Sequence, residues 1–401
     1  MSGQMARRKE ITQLPLAAAA SRLYFLDNLK VALTCLVIAH HAGQPYGGSG
    51  GFWYYQPEGG PELQLGRFFS VNAGFFMSLF FLISAYFLPA SYERKGAGGF
   101  LKDRLERLGV PALLGFLFVV PIMMYAYYVN FRGYGNISFW AYYLNVCFGL
   151  EEKPAGWTGP SWPDMQFAHL WFLEHLLFYA VVYTIVRKWI VRRPIMQEGE
   201  KPLRSVTIAA FAAGLALVTA AVRIRFDLDY WFGFLGFIQA EFFHVPQYAA
   251  FFIVGLVARR NNWMMTLTRR VGLTWLLIGV SLALTYYLGG IQVQTRSGWN
   301  TDNLVFACYE TFMCTGLCVG LIYLFRVFAS SSTSFLKRLT ENAFAVYIIH
   351  VPVLVVLQYM LGALPVSMLV QFILSVVLGI SCSFALSHFV IRRMPYFKRI
   401  L

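Results

Sequence analysis

The sequence contains few charged residues: Asp, Glu, Lys and Arg make up 13% of its 401 positions, about half the share of an ordinary soluble domain. This scarcity excludes a cytosolic enzyme and a disordered chain, since both classes carry more charge. The apolar residues fall in blocks of about twenty, the length of a helix that crosses a hydrocarbon core of about 30 Å. The blocks are continuously apolar rather than alternating, which argues against a membrane β-barrel.

Disulfide, metal and nucleophile chemistry have little support in the sequence. The six cysteines lie mostly inside apolar blocks without metal-ligand spacing, so we interpret them as small core residues. There is no P-loop, no HExxH pair and no GxSxG nucleophile elbow in a suitable context. The first twenty residues lack a hydrophobic region that ends in a cleavage site, so we expect no cleavable signal peptide. We also expect no metal and no bound cofactor.

Ten apolar blocks predict an all-α bundle of about ten membrane-spanning helices. The predicted spans are 23–42, 68–89, 108–130, 167–190, 205–222, 244–258, 271–290, 304–326, 343–361 and 366–390. The apolar run 136–149 is short for a span, and we predict that it is re-entrant or interfacial.

The distribution of basic residues predicts the orientation of these spans. With the N-terminus in the cytoplasm, 27 of the 33 Lys and Arg residues lie on the inner side, as the positive-inside rule requires. Both termini are then cytoplasmic, and the net charge of +14 reflects topology rather than a nucleic-acid-binding surface. We expect a multi-pass protein of the plasma (inner) membrane, with an N-terminal tail over 1–22, one membrane domain over 23–391 and a basic tail over 392–401.

The first predicted span contains several ionisable residues, which are costly in a membrane and are candidates for function. Asp27 and Lys30 are three residues apart and share one helix face. Lys30 and His41 point the same way, about 16 Å apart along the axis, whereas His40 points about 80° away. A neutral imidazole suits a general base. A structural role, with Asp27 and Lys30 at the interface and His41 capping the helix, explains the same pattern.

A basic cytoplasmic loop follows the second predicted span. Arg104 and Arg107 are three residues apart on an amphipathic segment, and Lys102 adds a further charge. The planar guanidinium fork is suited to phosphate groups. Anchoring to lipid headgroups would explain the same cluster.

Further candidates lie in the later spans. Glu174, in the outer half of the fourth span, and Glu310, in the eighth, each need a partner if they are ionised in the membrane. Trp171 is near Glu174 and is typical of an interface aromatic residue. His350 lies inside the ninth span. We interpret His169, the outermost histidine of the fourth span, as solvated.

His244, the first residue of the sixth predicted span, is a weaker candidate. A histidine at the edge of an apolar block is more often a structural residue, and we interpret it as one.

Taken together, these segments resemble the integral-membrane acyltransferase 3 family, which includes O-antigen and peptidoglycan O-acetyltransferases and glucan succinyltransferases. The residues that carry the resemblance are Lys30 and His41 in the first span, Phe80, Phe81, Ser84, Ala85, Tyr86 and Phe87 in the second, Arg104, Arg107, Leu108 and Pro111 in the basic loop, Trp171 to Tyr179 in a Trp-containing helix, and Tyr347 and His350 near the end. The similarity covers about residues 22–391, with Lys30 in place of the more common Arg.

The resemblance implies a membrane O-acyltransferase that modifies cell-envelope polysaccharide. It would move an acetyl or succinyl group from cytoplasmic acyl-CoA, its donor substrate, to a hydroxyl of an extracytoplasmic glycan or related envelope molecule. Membrane lipid would be a further partner, and nucleic acid would not. The implied site residues are His41 as the general base, with His40 as the alternative, Lys30 and either Asp27 or Glu174 as catalytic charges, Arg104, Arg107 and Lys102 at the CoA phosphates, and His350, Glu310 and Trp171 at the acceptor.

The alternative is a polytopic transporter or flippase for a polar or lipid-linked substrate. The intramembrane ionisable residues would then line its pathway. Inverted repeats would favour this reading, and none is apparent. Turnover of a CoA thioester distinguishes the enzyme from a transporter.

Overall fold

The structure, a computed structural model, describes residues 22–47, 53–159, 161–190, 202–228, 230–234, 238–291 and 297–400. The predicted N-terminal tail lies outside the described residues except for its last position. Residues 191–201, between the fourth and fifth predicted spans, also lie outside them, as does the final residue of the predicted C-terminal tail.

The described chain is mainly helical, as predicted. Its main helices are α1 (Tyr24–Gly47), α2 (Gly66–Arg104), α3 (105–132), α4 (139–147), α5 (Ala168–Trp189), α6 (Ser205–Val222), α7 (Val245–Arg260), α8 (Arg269–Tyr287), α9 (Thr301–Phe328), α10 (Ser334–Gly362) and α11 (Met368–Phe389). Short helical turns lie at Trp263–Thr266, Ile391–Arg393 and Pro395–Ile400.

One feature departs from the all-α prediction. Strands β1 (Trp231–Phe234) and β2 (Ile238–Glu241) form an antiparallel hairpin between α6 and α7, with Trp231 opposite Glu241. Each strand has four residues, which is too short to produce a clear alternation of polar and apolar positions in the sequence.

Seven helices in the described part of the chain are long and apolar enough to cross a membrane, and the protein is a multi-pass membrane protein. One of them, Gly66–Arg132, has 67 residues and would be about 100 Å long if straight. It turns at Gly96, whose φ of 66° and ψ of 171° favour a residue without a side chain. The turn separates the predicted spans 68–89 and 108–130. Helices α1 and α7, at two other predicted spans, are not among the seven.

The predicted re-entrant or interfacial run corresponds to α4. This helix begins after Ser138, whose hydroxyl accepts a hydrogen bond from the Ala141 amide at 3.1 Å, a common way to start a helix. At 1.5 Å per residue it is about 14 Å long, which is too short to cross a membrane. Trp140 and Leu144 on its surface are exposed.

Close backbone contacts at two glycines mark two of the helix crossings. Helix α8 crosses α9 at Gly279, where a Cβ atom would lie 2.5 Å from the amide nitrogen of Leu317. Helix α7 crosses α2 at Gly255, where a Cβ atom would lie 2.3 Å from the carbonyl oxygen of Leu82. Residues without bulk let membrane helices approach this closely.

Helix α1 lies inside the bundle, in contact with α2, α9, α10 and α11. Its apolar side chains are buried along most of its length, among them Leu26, Leu29 and Ile38. At its N-terminal end the Asn28 amide donates to the carbonyl oxygens of Ala329 and Ser331 at 2.8 and 2.9 Å. The central position of α1 places its polar residues in the interior, where the site is built.

Candidate active site

The charged residues at the start of α1 pair with one another. Lys30 Nζ lies 2.9 Å from Asp27 Oδ1, and Arg22 Nε donates to Asp27 Oδ2 at 2.7 Å. The contact between residues 27 and 30 follows from their shared helix face, as predicted. Asp27 therefore holds the Lys30 ammonium in place and is itself neutralised by two cations.

A large cavity of about 1300 Å³ lies beside the other end of α1, bounded by residues of α1, α2, α5, α9 and α10 and by the hairpin. Among the predicted site residues, His41, Trp171 and Glu310 line it, and so does His40. A cavity of this size with a few convergent polar groups is typical of a binding site.

His41 is oriented by its neighbours. Its Nδ1 lies 2.6 Å from Gln44 Oε1, and because a carbonyl oxygen only accepts, Nδ1 carries the proton and Nε2 is the basic nitrogen. The indole of Trp53 stacks on the imidazole with ring centroids 5.4 Å apart and planes 17° apart. Trp53 is held in turn by donating to Gln358 Oε1 at 2.6 Å. The imidazole is thus fixed in orientation and tautomer.

The imidazoles of two further histidines, His350 and His169, lie next to His41 in sequence of contact. The ring of His350 is 5.3 Å from that of His41, and the ring of His169 is 5.4 Å from that of His350. His350 Nδ1 donates to the carbonyl oxygen of Tyr347 at 2.6 Å. His350 Nε2 is buried without a hydrogen-bond partner among the described residues.

The locations of His350 and His169 differ from the predictions. His350 was expected at the acceptor, but it is fully buried and does not line the large cavity. His169 was interpreted as solvated, and this was wrong. It is buried, lines the cavity, and its Nε2 donates to the carbonyl oxygen of Ile348 at 2.9 Å. The contact of His169 with Ile348 joins two different helices, so helix spacing in the sequence could not have indicated it.

His40, the alternative base, has a different environment. Its ring packs against Phe69 and Phe76 at centroid distances of 5.1 and 5.3 Å. Its Nδ1 is buried without a hydrogen-bond partner among the described residues. His40 therefore borders the cavity but lacks the amide that orients His41.

A second, smaller cavity of about 270 Å³ lies toward the start of α1. Lys30 and Arg104 line it, together with Thr34 and Ser84. Tyr347 lines both cavities. The two cavities are thus separated by a shared wall, with the cations on one side and His41 on the other.

The predicted phosphate contacts are not equivalent. Arg104 lines the smaller cavity and donates to Ser91 Oγ at 3.3 Å. Arg107 and Lys102 do not line it, and their side chains are 56% and 77% exposed. Asp103 lies 2.6 to 3.4 Å from basic groups of this segment, namely Lys95, Arg107 and Arg104.

Glu174, predicted as a possible catalytic charge, lines neither cavity. It shares a face of α5 with Leu170 and Leu177, which pack close to Gly115 and Gly109 of α3. Both of its carboxyl oxygens are buried without a hydrogen-bond partner among the described residues. The structure therefore directs Glu174 toward α3.

A chain of alternating charges borders the large cavity beside the hairpin. Arg223 and Glu310 form a buried ion pair. Glu310 Oε1 lies 3.2 Å from His244 Nε2, and His244 Nδ1 lies 2.9 Å from Glu241 Oε2. Carboxylates only accept hydrogen bonds, so His244 donates from both ring nitrogens and is an imidazolium.

Of the residues in this charge chain, the sequence indicated only Glu310 as a site residue. His244 was interpreted as structural, and Arg223 and Glu241 were not singled out. Arg223 and Glu310 are 87 positions apart, so no local pattern links them. A useful signal was the need of Glu310 for a cationic partner.

A further ion pair, between Arg132 and Asp164, lies at the large cavity. Arg132 Nη2 is 3.6 Å from Asp164 Oδ1, and the Tyr142 hydroxyl donates to Asp164 Oδ2 at 2.9 Å. The guanidinium of Arg132, which lines the cavity, also lies over the Trp157 ring, 4.4 Å from its centroid. Burial raises the pKa of the Asp164 carboxyl to about 6, although Arg132 and Tyr142 oppose the shift.

Comparison with known families decides what kind of domain this is. A family model for the acyltransferase domain of the acyltransferase 3 family matches residues 23–388. The chain belongs to the acyltransferase 3 family. The resemblance predicted from its motifs is thereby confirmed. The matched range contains every residue that lines the two cavities, so both belong to the acyltransferase 3 domain.

Individual relatives within this acyltransferase family are distant. The chain is similar to glucans biosynthesis protein C of Salmonella schwarzengrund and of Salmonella typhimurium, each 28% identical over 254 residues, or 60% of this chain and 59% of the relative. It is also similar to glucans biosynthesis protein C of Escherichia coli O17:K52:H18, 26% identical over 321 residues, or 75% of this chain and 72% of the relative. The match thus spans 59% of the length of the Salmonella relatives. No solved structure matches.

Proposed function

We propose that this protein transfers an acetyl or succinyl group from cytoplasmic acyl-CoA to a hydroxyl of an extracytoplasmic glycan or a related envelope molecule. The observation that carries the proposal is the pair of cavities on either side of Tyr347. One is lined by Lys30 and Arg104, and the other by an oriented imidazole. An enzyme whose two substrates come from opposite sides of a membrane needs this kind of division.

The donor occupies the smaller cavity and its mouth. CoA is a polyanion, and its phosphates bind the cations of the basic segment, of which Arg104 offers a planar fork. Lys30 lies deeper, held by Asp27. The extended pantetheine arm bridges the distance from Lys30 to His41, about 16 Å of helix rise, and brings the thioester past Tyr347.

The chemistry takes place beside His41. Its Nε2 accepts the proton of the acceptor hydroxyl while the hydroxyl oxygen bonds to the thioester carbonyl carbon. The carbon–sulfur bond then breaks, and the imidazolium returns its proton to the leaving sulfur, which gives CoA thiol and an ester. Gln44 keeps the required tautomer. Direct transfer of this kind needs no nucleophilic side chain, and His41 acts as a general base.

We propose ten membrane crossings, with both termini in the cytoplasm of a cell bounded by the plasma (inner) membrane. Support comes from a helix at each predicted span and from the excess of basic residues on one side. Helices α1 and α7 are the two proposed crossings outside the seven long apolar helices; α7 has only 16 residues, and α1 carries Asp27, Lys30, His40 and His41. One membrane domain, 23–391, lies between the two tails.

The test is CoA release by purified protein with acetyl-CoA or succinyl-CoA and cell-envelope glycans as acceptor. A positioned general base contributes about 10² to 10⁴ in rate, so His41→Gln should lose at least a hundredfold. His40→Gln is the matched control, and it should keep most of the activity. Ester formation on the glycan should accompany release of the thiol.

Two results would count against the proposal. Equal activity in His41→Gln and wild type would remove the assigned base. No release of CoA with any acceptor, together with uptake of a polar solute into proteoliposomes, would favour a transporter instead.

A further inference from the structure

The hairpin places an aromatic ring and a carboxylate side by side in the large cavity. Trp231 and Glu241 are directly opposite in the antiparallel register, so their side chains lie on the same face with Cβ atoms about 5 Å apart. Both line the cavity. Neither residue takes part in the donor binding or the proton transfer proposed above.

Aromatic side chains extend this surface across the cavity. The Trp231 ring is 6.3 Å from the Trp171 ring, edge to face, and Trp171 stacks on Tyr248 at 5.4 Å with planes 27° apart. Tyr230, which is 50% exposed, and Phe232 also line the cavity. We use "hairpin wall" for Tyr230, Trp231, Glu241, Trp171 and Tyr248.

The hairpin wall has the composition of a surface that binds sugars. An apolar ring face packs against the C–H groups of a pyranose ring, because ring faces are apolar and carry partial negative charge. A carboxylate beside it accepts hydrogen bonds from the sugar hydroxyls, and it has several acceptor positions. A surface for acyl chains would not need Glu241, and an interfacial aromatic belt would face lipid rather than a cavity.

The charges around this cavity are balanced, which restricts the ligand further. Its charged lining residues in the described part of the chain are each in a pair: Arg132 with Asp164, Glu310 with Arg223, and Glu241 with the His244 imidazolium. An anionic ligand would find no uncompensated cation among them. It would lose hydration without gaining a counter-ion, which is costly in a buried site.

We propose that the hairpin wall is the acceptor subsite, and that it selects a neutral glycan over an anionic one. This inference rests on the proposed function for its link to acyl transfer, but the binding itself does not. The sugar ring lies on Trp231, its hydroxyls donate to Glu241, and the hydroxyl to be acylated extends toward His41 in the same cavity.

Binding of short oligosaccharides to the purified full-length protein tests this inference without catalysis. The probes are a linear glucose oligomer and a glucuronic acid oligomer of the same length, titrated by calorimetry. We expect the wild type to bind the glucose oligomer at least tenfold more tightly than the glucuronic acid oligomer. Trp231→Ala and Glu241→Gln should each weaken glucose-oligomer binding at least tenfold, and Trp231→Phe should restore part of it.

Matched controls come from residues that do not line the cavity. Trp140→Ala removes an exposed indole of α4, and Glu62→Gln neutralises an exposed carboxylate. Both should bind as the wild type does. Equal binding by Trp231→Ala and Trp140→Ala, equal or tighter binding of the glucuronic acid oligomer, or no binding of the glucose oligomer would each overturn the inference.

Activity assays separate this inference from the proposed function. With the glucose oligomer as acceptor, Trp231→Ala should raise the acceptor KM at least tenfold and leave the acyl-CoA KM unchanged. Failure of CoA release in every condition, with selective glucose-oligomer binding intact, would refute the proposed function and leave a glycan-binding site. Normal CoA release with an acceptor KM indifferent to Trp231 would refute the subsite alone.

Discussion

Removal of one partner from the buried ion pair between Arg223 and Glu310 should strongly destabilise the folded bundle. Arg223 is 1% exposed, and its guanidinium also lies 3.4 Å from the centroid of the Phe243 ring. Two of its nitrogens, Nε and Nη1, have no hydrogen-bond partner among the described residues. Its charge therefore depends heavily on Glu310.

The expected loss of folding free energy follows from the unpaired charge that remains when one partner is removed. Glu310→Gln keeps the shape and an acceptor but leaves the Arg223 charge without a counter-ion in the interior. Breaking a buried pair in this way costs about 3–5 kcal/mol. Glu310→Gln and Arg223→Met should each fall in this range. The double variant should cost less than their sum by at least about 1.5 kcal/mol, because the second change removes an already unpaired group.

The assay is reversible unfolding of the purified protein in mixed micelles with increasing SDS, followed by far-UV circular dichroism. The control is Glu341→Gln, which breaks the pair of Glu341 with Arg392. Those groups are 3.3 Å apart but Glu341 is about half exposed. An exposed pair is worth about 0.2–1 kcal/mol, so the control should unfold close to the wild type.

A loss of stability in Glu310→Gln no larger than that in Glu341→Gln would contradict this prediction. Additive effects of the Arg223 and Glu310 variants would contradict it as well, because additivity would mean that the two side chains do not depend on each other.

Two further predictions concern packing and pH. Gly279→Ala should destabilise the protein, because the added Cβ would lie 2.5 Å from the Leu317 amide nitrogen. The control is Gly214→Ala, where the added Cβ would have no atom within 4 Å, and this variant should be neutral or stabilising. Thermal unfolding of the two variants and the wild type measures the difference. The raised pKa of Asp164, about 6 against about 3.9 unfolded, means that the folded state takes up the proton first as the pH falls. This group should therefore add about 2 kcal/mol of stability as the pH falls from 7 to 4. Asp164→Asn should lack that gain, and an identical pH profile in the variant would contradict the assignment.

The local features of the site could be predicted from the sequence. Lys30 and His41 lie on one stripe of α1 because helical periodicity alone sets that arrangement. The contact of Lys30 with Asp27 follows in the same way. Continuous apolar blocks likewise identify helices, since each block must satisfy its backbone hydrogen bonds internally in a membrane.

Contacts between distant segments could not be predicted in this way. His350 meets His169 across 181 positions, and Arg223 meets Glu310 across 87. Helix packing sets both contacts, and periodicity within one helix carries no information about it. Glu174 shows the opposite case: a carboxyl that attracts attention in the sequence lines neither cavity, because its face of α5 is turned to α3.

The backbone contact between Gly255 and the Leu82 carbonyl has a consequence for how the protein can diversify. A side chain added at Gly255 would have its Cβ 2.3 Å from the Leu82 carbonyl oxygen and 2.8 Å from the Ala85 Cβ. The spacing of α2 and α7 therefore depends on glycine at this position, and any substitution there would force the two helices apart. The hairpin is different, because Trp231 and Glu241 reach the cavity through side chains alone. Redesign of what the protein accepts should begin at those two positions, with the helices left unchanged.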